Sequence, residues 1–269
     1  MISKRNSLLF SMLFGALTFL CGETKAQDPA PAATTIPVIF TQTIDVARAH
    51  TGDAVIARTM QEVKLPDGTQ LPKGSIVRGH IVEVRAFSFD ATPYAVQQPS
   101  VLSIHFDQVL TKNGAKTVSA SVRALANRLL AEEAISPHRT DDTDAVGTMV
   151  LIGGGSFNPL SKEVLTDDGD IIGYNRKGRV FARLLPAEYQ SRYSHFACKG
   201  SGGEQSVAIF SPMACGAYGF DSMYMAENGS GERPGTFRLE SRHRSVKLYT
   251  HSAALLELTG SSDHGTGGL

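Results

Sequence analysis

Cys198 and Cys215 are the pair whose type and spacing most directly imply chemistry. The chain holds 3 cysteines, and the other one, Cys21, lies in an N-terminal stretch that reads as an export signal. Removal of that stretch leaves two thiols. An even pair in an oxidising compartment predicts a disulfide closing the loop Lys199–Ala214. The alternative is a metal site, because His195-x-x-Cys198 has ligand-like spacing. Zinc asks for three or four protein ligands, and no second Cys/His pair lies nearby.

A second candidate is the basic cluster Arg238, Arg242, His243, Arg244 and Lys247. Such a patch could hold an anionic polymer, a lipid headgroup or an acidic partner. The interposed Glu240 and the overall charge balance point instead to a solvated strand face. Asp167, Asp168 and Asp170 around Gly169 concentrate carboxylates but lack the spacing of a calcium loop, so a β-turn is expected. Asp141, Asp142 and Asp144 read the same way. The 8 histidines are dispersed, with no His-x-His or His-Glu-x-x-His spacing. No Gly-x-Ser-x-Gly elbow occurs, and Gly153-Gly154-Gly155-Ser156 lacks the Gly-Lys-Ser/Thr of a phosphate loop. That glycine run reads as a flexible or bulged strand end. The expectation is therefore a protein that is not an enzyme, with no catalytic residues, no metal and no cofactor.

Composition agrees with an exported globular protein. Lys and Arg number 26, Asp and Glu 26, and 42% of residues are hydrophobic. Charge balance argues against nucleic acid as a partner. Lys4 and Arg5 precede the apolar run Leu8–Leu20, followed by Thr24-x-Ala26, the order of a secretory signal cleaved after Ala26. The run is shorter than the roughly 20 residues of a membrane span. An uncleaved anchor is one alternative. A lipoprotein at Cys21 is another, although Leu20 is bulky where a small residue is needed. Loss of residues 1–26 removes Lys4, Arg5, Lys25 and Glu23 and turns neutrality into a slight acidic excess. No other segment is apolar and long enough to span a bilayer as a helix. Localisation is thus expected to be periplasmic or secreted.

The elements that must position these residues are mostly strands and turns. Residues 27–35 form a Pro/Ala linker and 260–269 a Gly/Ser-rich tail. Leu102, Ile104, Phe106 and Leu110 alternate with Ser103, His105 and Asp107, the pattern of a half-buried strand. Asn113-Gly114 then joins it to an alternating run at Val118, Ala120 and Val122, a strong hairpin signal. Ala54–Leu65 and Ser75–Phe87 form an earlier strand pair. Ile171–Tyr174 and Val180–Leu185 flank a turn at Asn175–Gly178. Asn228-Gly229 marks a further turn. Val207–Phe210, Tyr218–Met225, Thr236–Glu240, Val246–Tyr249 and Ala254–Leu258 complete the strands. The phase change between Leu239 and Val246 predicts a turn or bulge near Arg242–Ser245. The one helix expected is Leu125–Ala134, stopped before Pro137. The fold class is all-β, antiparallel and barrel- or sandwich-like, with little helix. Two packed β regions, 36–135 and 145–259, are expected to divide at the polar loop Ser136–Asp144.

The run Lys64-Leu65-Pro66-Asp67-Gly68 and, after it, Leu71-Pro72-Lys73-Gly74-Ser75 with Gly79 resembles the TrbI-like β-barrel proteins of conjugation and type IV secretion channels. The resemblance extends over roughly residues 45–125 and implies a barrel, with Gly74 making a turn and Gly79 making room for a passing backbone. Members of that family carry a membrane helix and a long periplasmic linker. Here an export signal and a short linker stand in their place, so channel function does not carry over. The segment Phe210–Phe220 is similar to exported bacterial proteins that supply no activity. Together these readings point to a non-catalytic cell-envelope binding or scaffolding protein whose partner is an envelope protein or cell-wall component. A periplasmic enzyme acting on glycan or peptide is the alternative, through carboxylates from distant strands. A secretion-channel component is the third.

Overall fold

The computed structural model describes residues 34–89, 92–93, 96–186, 198–227 and 235–258. The stretches read from the sequence as a signal (1–26), a tail (260–269) and a turn at Asn228-Gly229, with His195 and most of the expected 27–35 linker, lie outside the described residues. In chain order the first strands are β1 (Thr35–Phe40), β2 (Ile44–Asp45), β3 (Ala54–Thr59), β4 (Val63–Lys64), β5 (Gln70–Leu71), β6 (Ile76–Arg85), β7 (Ser100–Thr111) and β8 (Gly114–Ala126). Helix α1 (Arg128–Ile135) follows. Then come β9 (Met149–Val150), β10 (Ser156–Phe157), β11 (Glu163–Leu165), β12 (Ile171–Arg176), β13 (Arg179–Arg183) and β14 (Glu204–Ser206). The last are β15 (Gly216–Tyr218), β16 (Met223–Glu227), β17 (Thr236–Ser241), β18 (Lys247–Leu248) and β19 (Ala253–Leu258).

The order β8-β19-β1-β3-β6-β7 closes on itself through an additional β7–β8 pairing, making a six-strand antiparallel barrel. Closure leaves no free edge along this ring. Inward positions alternate as the pleat requires: Ile36, Val38 and Phe40 on β1, Val55 and Ala57 on β3, and Leu102, Ile104 and Phe106 on β7 are buried in one core. Leu110 was expected on that inner face, but Val109 occupies it. The ladder shifts between Phe106 and Gln108, so Asp107 is an extra residue and the phase flips after it. Gly79 sits where the neighbouring strand comes closest, since a Cβ there would collide with the His105 carbonyl oxygen.

A six-stranded sheet in the order β14-β13-β12-β11-β10-β9 packs outside the barrel. Its core joins Val164, Val180, Ala182, Leu184 and Phe210 to Ala131 and Ala134 of α1 and to the outer faces of the barrel strands β8 and β19. Ala253 and Leu255 face this second core while Ala254 and Leu256 face the barrel. A strand buried on both faces reads as a continuous apolar run, which Ala253–Leu256 is.

The two β regions therefore do not divide at Ser136–Asp144 as expected. β19 pairs with both β1 and β8 and so completes the barrel begun by residues 35–126, and β17 pairs with β7 beside the closed ring. The helix also begins later than expected. Leu125 and Ala126 belong to β8, paired to Ala254 and Ala253. Asn127 then caps α1 by accepting from the Leu130 N–H at 2.9 Å. Val207–Phe210 forms no strand, because Ala208 takes a left-handed φ of 49° and breaks the extended run. No helix among the described residues is long and apolar enough to cross a membrane.

Arg123 joins the two layers. It is the extra residue of a bulge in β8, between Val122 paired to Leu256 and Ala124 paired to Leu255. The bulge turns its side chain out of the barrel and into the protein, where it is fully buried. Its guanidinium donates to the carbonyls of Leu185 at 2.6 Å, Ala214 at 3.1 Å and Pro212 at 3.4 Å, and to that of Lys199. Burial pushes its pKa down, and Glu257, whose carboxylate is 4.0 Å away, opposes the shift. Beside it Cys198 and Cys215 form a disulfide, with Cα atoms 5.8 Å apart and a sequence separation of 17.

Arg123→Ala should lower stability by about 3 kcal/mol or more, because several buried carbonyls lose their donor at about 1–3 kcal/mol each. Arg123→Lys should recover only part, since an ammonium cannot span four acceptors. Urea unfolding of the purified protein measures both. The Cys198→Ser, Cys215→Ser double variant should lose about 3 kcal/mol by the same assay. Thiol alkylation without reductant should leave Cys198 and Cys215 unlabelled in the wild type.

Candidate functional site

The barrel wall and the outer sheet part near α1 and leave an apolar cleft of about 390 Å³. One wall is barrel: Ile39 of β1, then Arg58, Thr59, Met60 and Gln61 at and after the end of β3. The opposite wall is Met149, Phe157 and Val180 of the outer sheet with Ala208 and Ile209 below them. Ala134 and Ile135, at the end of α1, close one side, and Ile135 remains 45% exposed at the mouth. The volume falls in the lower part of the roughly 300–1,000 Å³ range of small-molecule sites.

The polar groups along the walls are engaged by the protein. Gln61 is buried, and its amide donates to the Val180 carbonyl at 2.9 Å and accepts from the Val180 N–H at 3.0 Å. A side chain here imitates a strand, tying the β3–β4 connection to β13. The Thr59 hydroxyl donates to the Pro72 carbonyl at 2.7 Å. At the rim, Arg58 donates to the Gly74 carbonyl at 2.9 Å, which sets it beside Lys73. Among the described residues neither cation lies within ion-pair distance of a carboxylate. The neighbouring Arg179, by contrast, is paired to Glu62 at 2.7 Å. Among the described residues the lining contains no Asp, Glu, His, Ser or Cys.

A second cluster sits on the outer wall of the barrel. His80 and His105 are cross-strand partners on β6 and β7, with ring centroids 5.6 Å apart. The bulge at Asp107 aims its carboxylate at His80 Nδ1, 2.7 Å away. A His–Asp pair of this kind orients an imidazole as a general base. The spacing of 27 residues hid it from sequence reasoning, and the bulge that makes it has no local signature. No group of three or more His, Cys, Asp or Glu residues able to hold a metal occurs among the described residues.

The anion-patch residues are not brought together as free cations. Arg238 is paired to Glu83, and to Glu240 at 2.6 Å. Lys247 is 3.1 Å from Asp45 and lies over the Tyr249 ring. Arg242 and Arg244 are exposed in the turn between them, and Arg244 donates to the Asp221 carbonyl at 3.3 Å. The acidic clusters serve turns. Asp141 accepts from Thr143 and Asp144, and Asp144 from Gly147, Thr148 and Asn158. Asp167–Asp170 is an exposed turn between β11 and β12. Gly153, Gly154 and Gly155 all take positive φ, and a Cβ at Gly155 would lie 2.7 Å from the Leu165 carbonyl oxygen.

No family model matches the chain, and neither a curated protein nor a solved structure matches it.

The hydrogen bond from the Lys247 ammonium holds the Asp45 carboxyl below the ordinary carboxylate pKa. A depressed native pKa stabilises the fold above the unfolded-state value and is lost as pH falls through the native one. Lys247→Met should return Asp45 toward the ordinary value, read as an upward shift of its carboxyl titration by NMR.

Proposed function

We propose that this chain is an exported, non-catalytic binding protein of the cell envelope, and that its ligand seats in the cleft between barrel and outer sheet. The observation that carries the reading is the cleft lining: an apolar pocket of small-molecule size whose only charged groups are two cations. Such a lining can hold and orient a molecule, and among the described residues it offers no carboxylate, imidazole or thiol beside its two cations, while the Thr59 hydroxyl is held by the Pro72 carbonyl. The disulfide and the signal-like N-terminus support export, because disulfides persist outside the reducing cytosol. Ala208 adds to the case for the cleft, since backbone held in a left-handed conformation at a non-glycine residue tends to lie at functional sites.

Protein recovered from the exported fraction should begin at Gln27. In native mass spectrometry it should carry a bound mass. Met149→Trp, which fills the cleft, should remove that mass. Leu160→Trp, at a residue 78% exposed and outside the cleft lining, should retain it. The specific rival is an enzyme built on the His80–Asp107 pair. Turnover of an ester, peptide or glycan substrate by the wild type, abolished in His80→Gln with unchanged melting, would overturn the non-catalytic reading.

A further inference from the structure

We infer that the cleft takes a single-chain amphiphile with an anionic head, a long-chain carboxylate, with its head between Arg58 and Lys73 and its tail along Met60, Phe157 and Ile135. The inference rests on the cleft being the binding site, as proposed above. It follows from what each part of the cleft can and cannot satisfy.

The walls exclude a polar body. Gln61 spends both ends of its amide on Val180, and the Thr59 hydroxyl is committed to Pro72. Among the described side chains lining the cleft, Arg58 and Lys73 are the charged donors left to offer a ligand. A sugar ring or a peptide backbone laid along Ile39, Phe157 and Ile209 would bury hydrogen-bonding groups against hydrocarbon without partners, which is costly. An alkyl chain has none to lose. Met60 and Met149, unbranched and adaptable, suit a flexible tail better than a rigid ring system.

The rim demands a negative head. Arg58 is anchored to the carbonyl of Gly74, the residue after Lys73, so both cations belong to one end of the cleft. Nearby Arg179 has its carboxylate in Glu62, while Arg58 and Lys73 have none among the described residues. A carboxylate head would accept charge-assisted hydrogen bonds from both. A volume of about 390 Å³ suits one chain rather than the two of a phospholipid.

The test is calorimetric titration of the delipidated full exported chain with octanoate, decanoate and dodecanoate below their micellar concentrations. Decanol and decyltrimethylammonium serve as neutral and cationic comparisons. One-to-one binding is expected, tightening about three- to four-fold per added methylene. Decanol and the ammonium should bind at least ten-fold more weakly than decanoate. The charge-reversed variant Arg58→Glu with Lys73→Glu, altered only at exposed residues, should lose decanoate at least ten-fold and gain decyltrimethylammonium, while still unfolding in one cooperative transition. Equal binding of decanol and decanoate, unaffected by charge reversal, would overturn the anionic head and leave the cleft as a binding site. Carboxylate binding undiminished in Met149→Trp would place the amphiphile elsewhere and overturn the inference. No binding of any of the five probes would overturn it too, while a bound mass seen by native mass spectrometry would still support a cleft ligand of another class.

Discussion

A guanidinium shielded from water must find its hydrogen bonds in the protein, and Arg123 finds them on three separate stretches of chain. Leu185 follows β13, Lys199 adjoins Cys198, and Pro212 and Ala214 lead into Cys215. One side chain on the barrel thereby holds the connections of the outer sheet in place. The disulfide clamps two of those stretches together beside it, with Cys198 Sγ 3.6 Å from the Arg123 carbonyl oxygen. The two devices act differently: the covalent bond limits how far the loop can move, and the buried charge favours one place for it to lie. Removing the charge would leave several carbonyls without donors in a medium where each such loss is expensive.

The same bulge explains how one wall serves two cores. Up to Val122, β8 shows one apolar face to the barrel; past Arg123, Ala124 and Ala126 face the outer sheet while Leu125 faces the barrel. β19 runs beside it with the same division. Small side chains dominate the outer face at Ala124, Ala126 and Ala253, which lets α1 and the outer sheet approach closely. The cleft lies beyond this shared wall, between Ile39 of β1, the end of β3 and the outer sheet, while the start of β1 is tied to β14 by the Thr35 hydroxyl, which donates to the Ser206 carbonyl at 2.8 Å. Gln61 bridges the two layers there through its amide, so the cleft is an opening held to a set width by a polar strut.

Much of the barrel was legible in the alternation of residues 101–122, in the Asn113-Gly114 turn and in the turn residues around Gly74. Period-two patterning reports which face is buried, because successive strand side chains must point to opposite sides. The Cys198–Cys215 pairing was legible by counting, once Cys21 was assigned to the signal. Two kinds of feature were not. The bulges at Asp107 and Arg123 leave no mark in composition, since an extra residue in a ladder is defined only by its partner strand. The pairing of the basic residues Arg238 and Lys247 was not legible for a related reason. Glu240 stands two residues from Arg238, but the other partners, Glu83 of Arg238 and Asp45 of Lys247, lie far away in sequence.

The sequence by itself determined the class of the fold, five of the six barrel strands and the disulfide, because these depend on local periodicity, turn chemistry and cysteine number; β1 (Thr35–Phe40) was not read as a strand. Tertiary structure alone decided that β19 returns to complete the barrel and β17 to flank it, that Arg123 is swallowed between two layers, and that Arg58 and Lys73 share the rim of an apolar cleft. Those outcomes depend on which distant segments meet, and a pleat records the direction a side chain faces without recording what it will face.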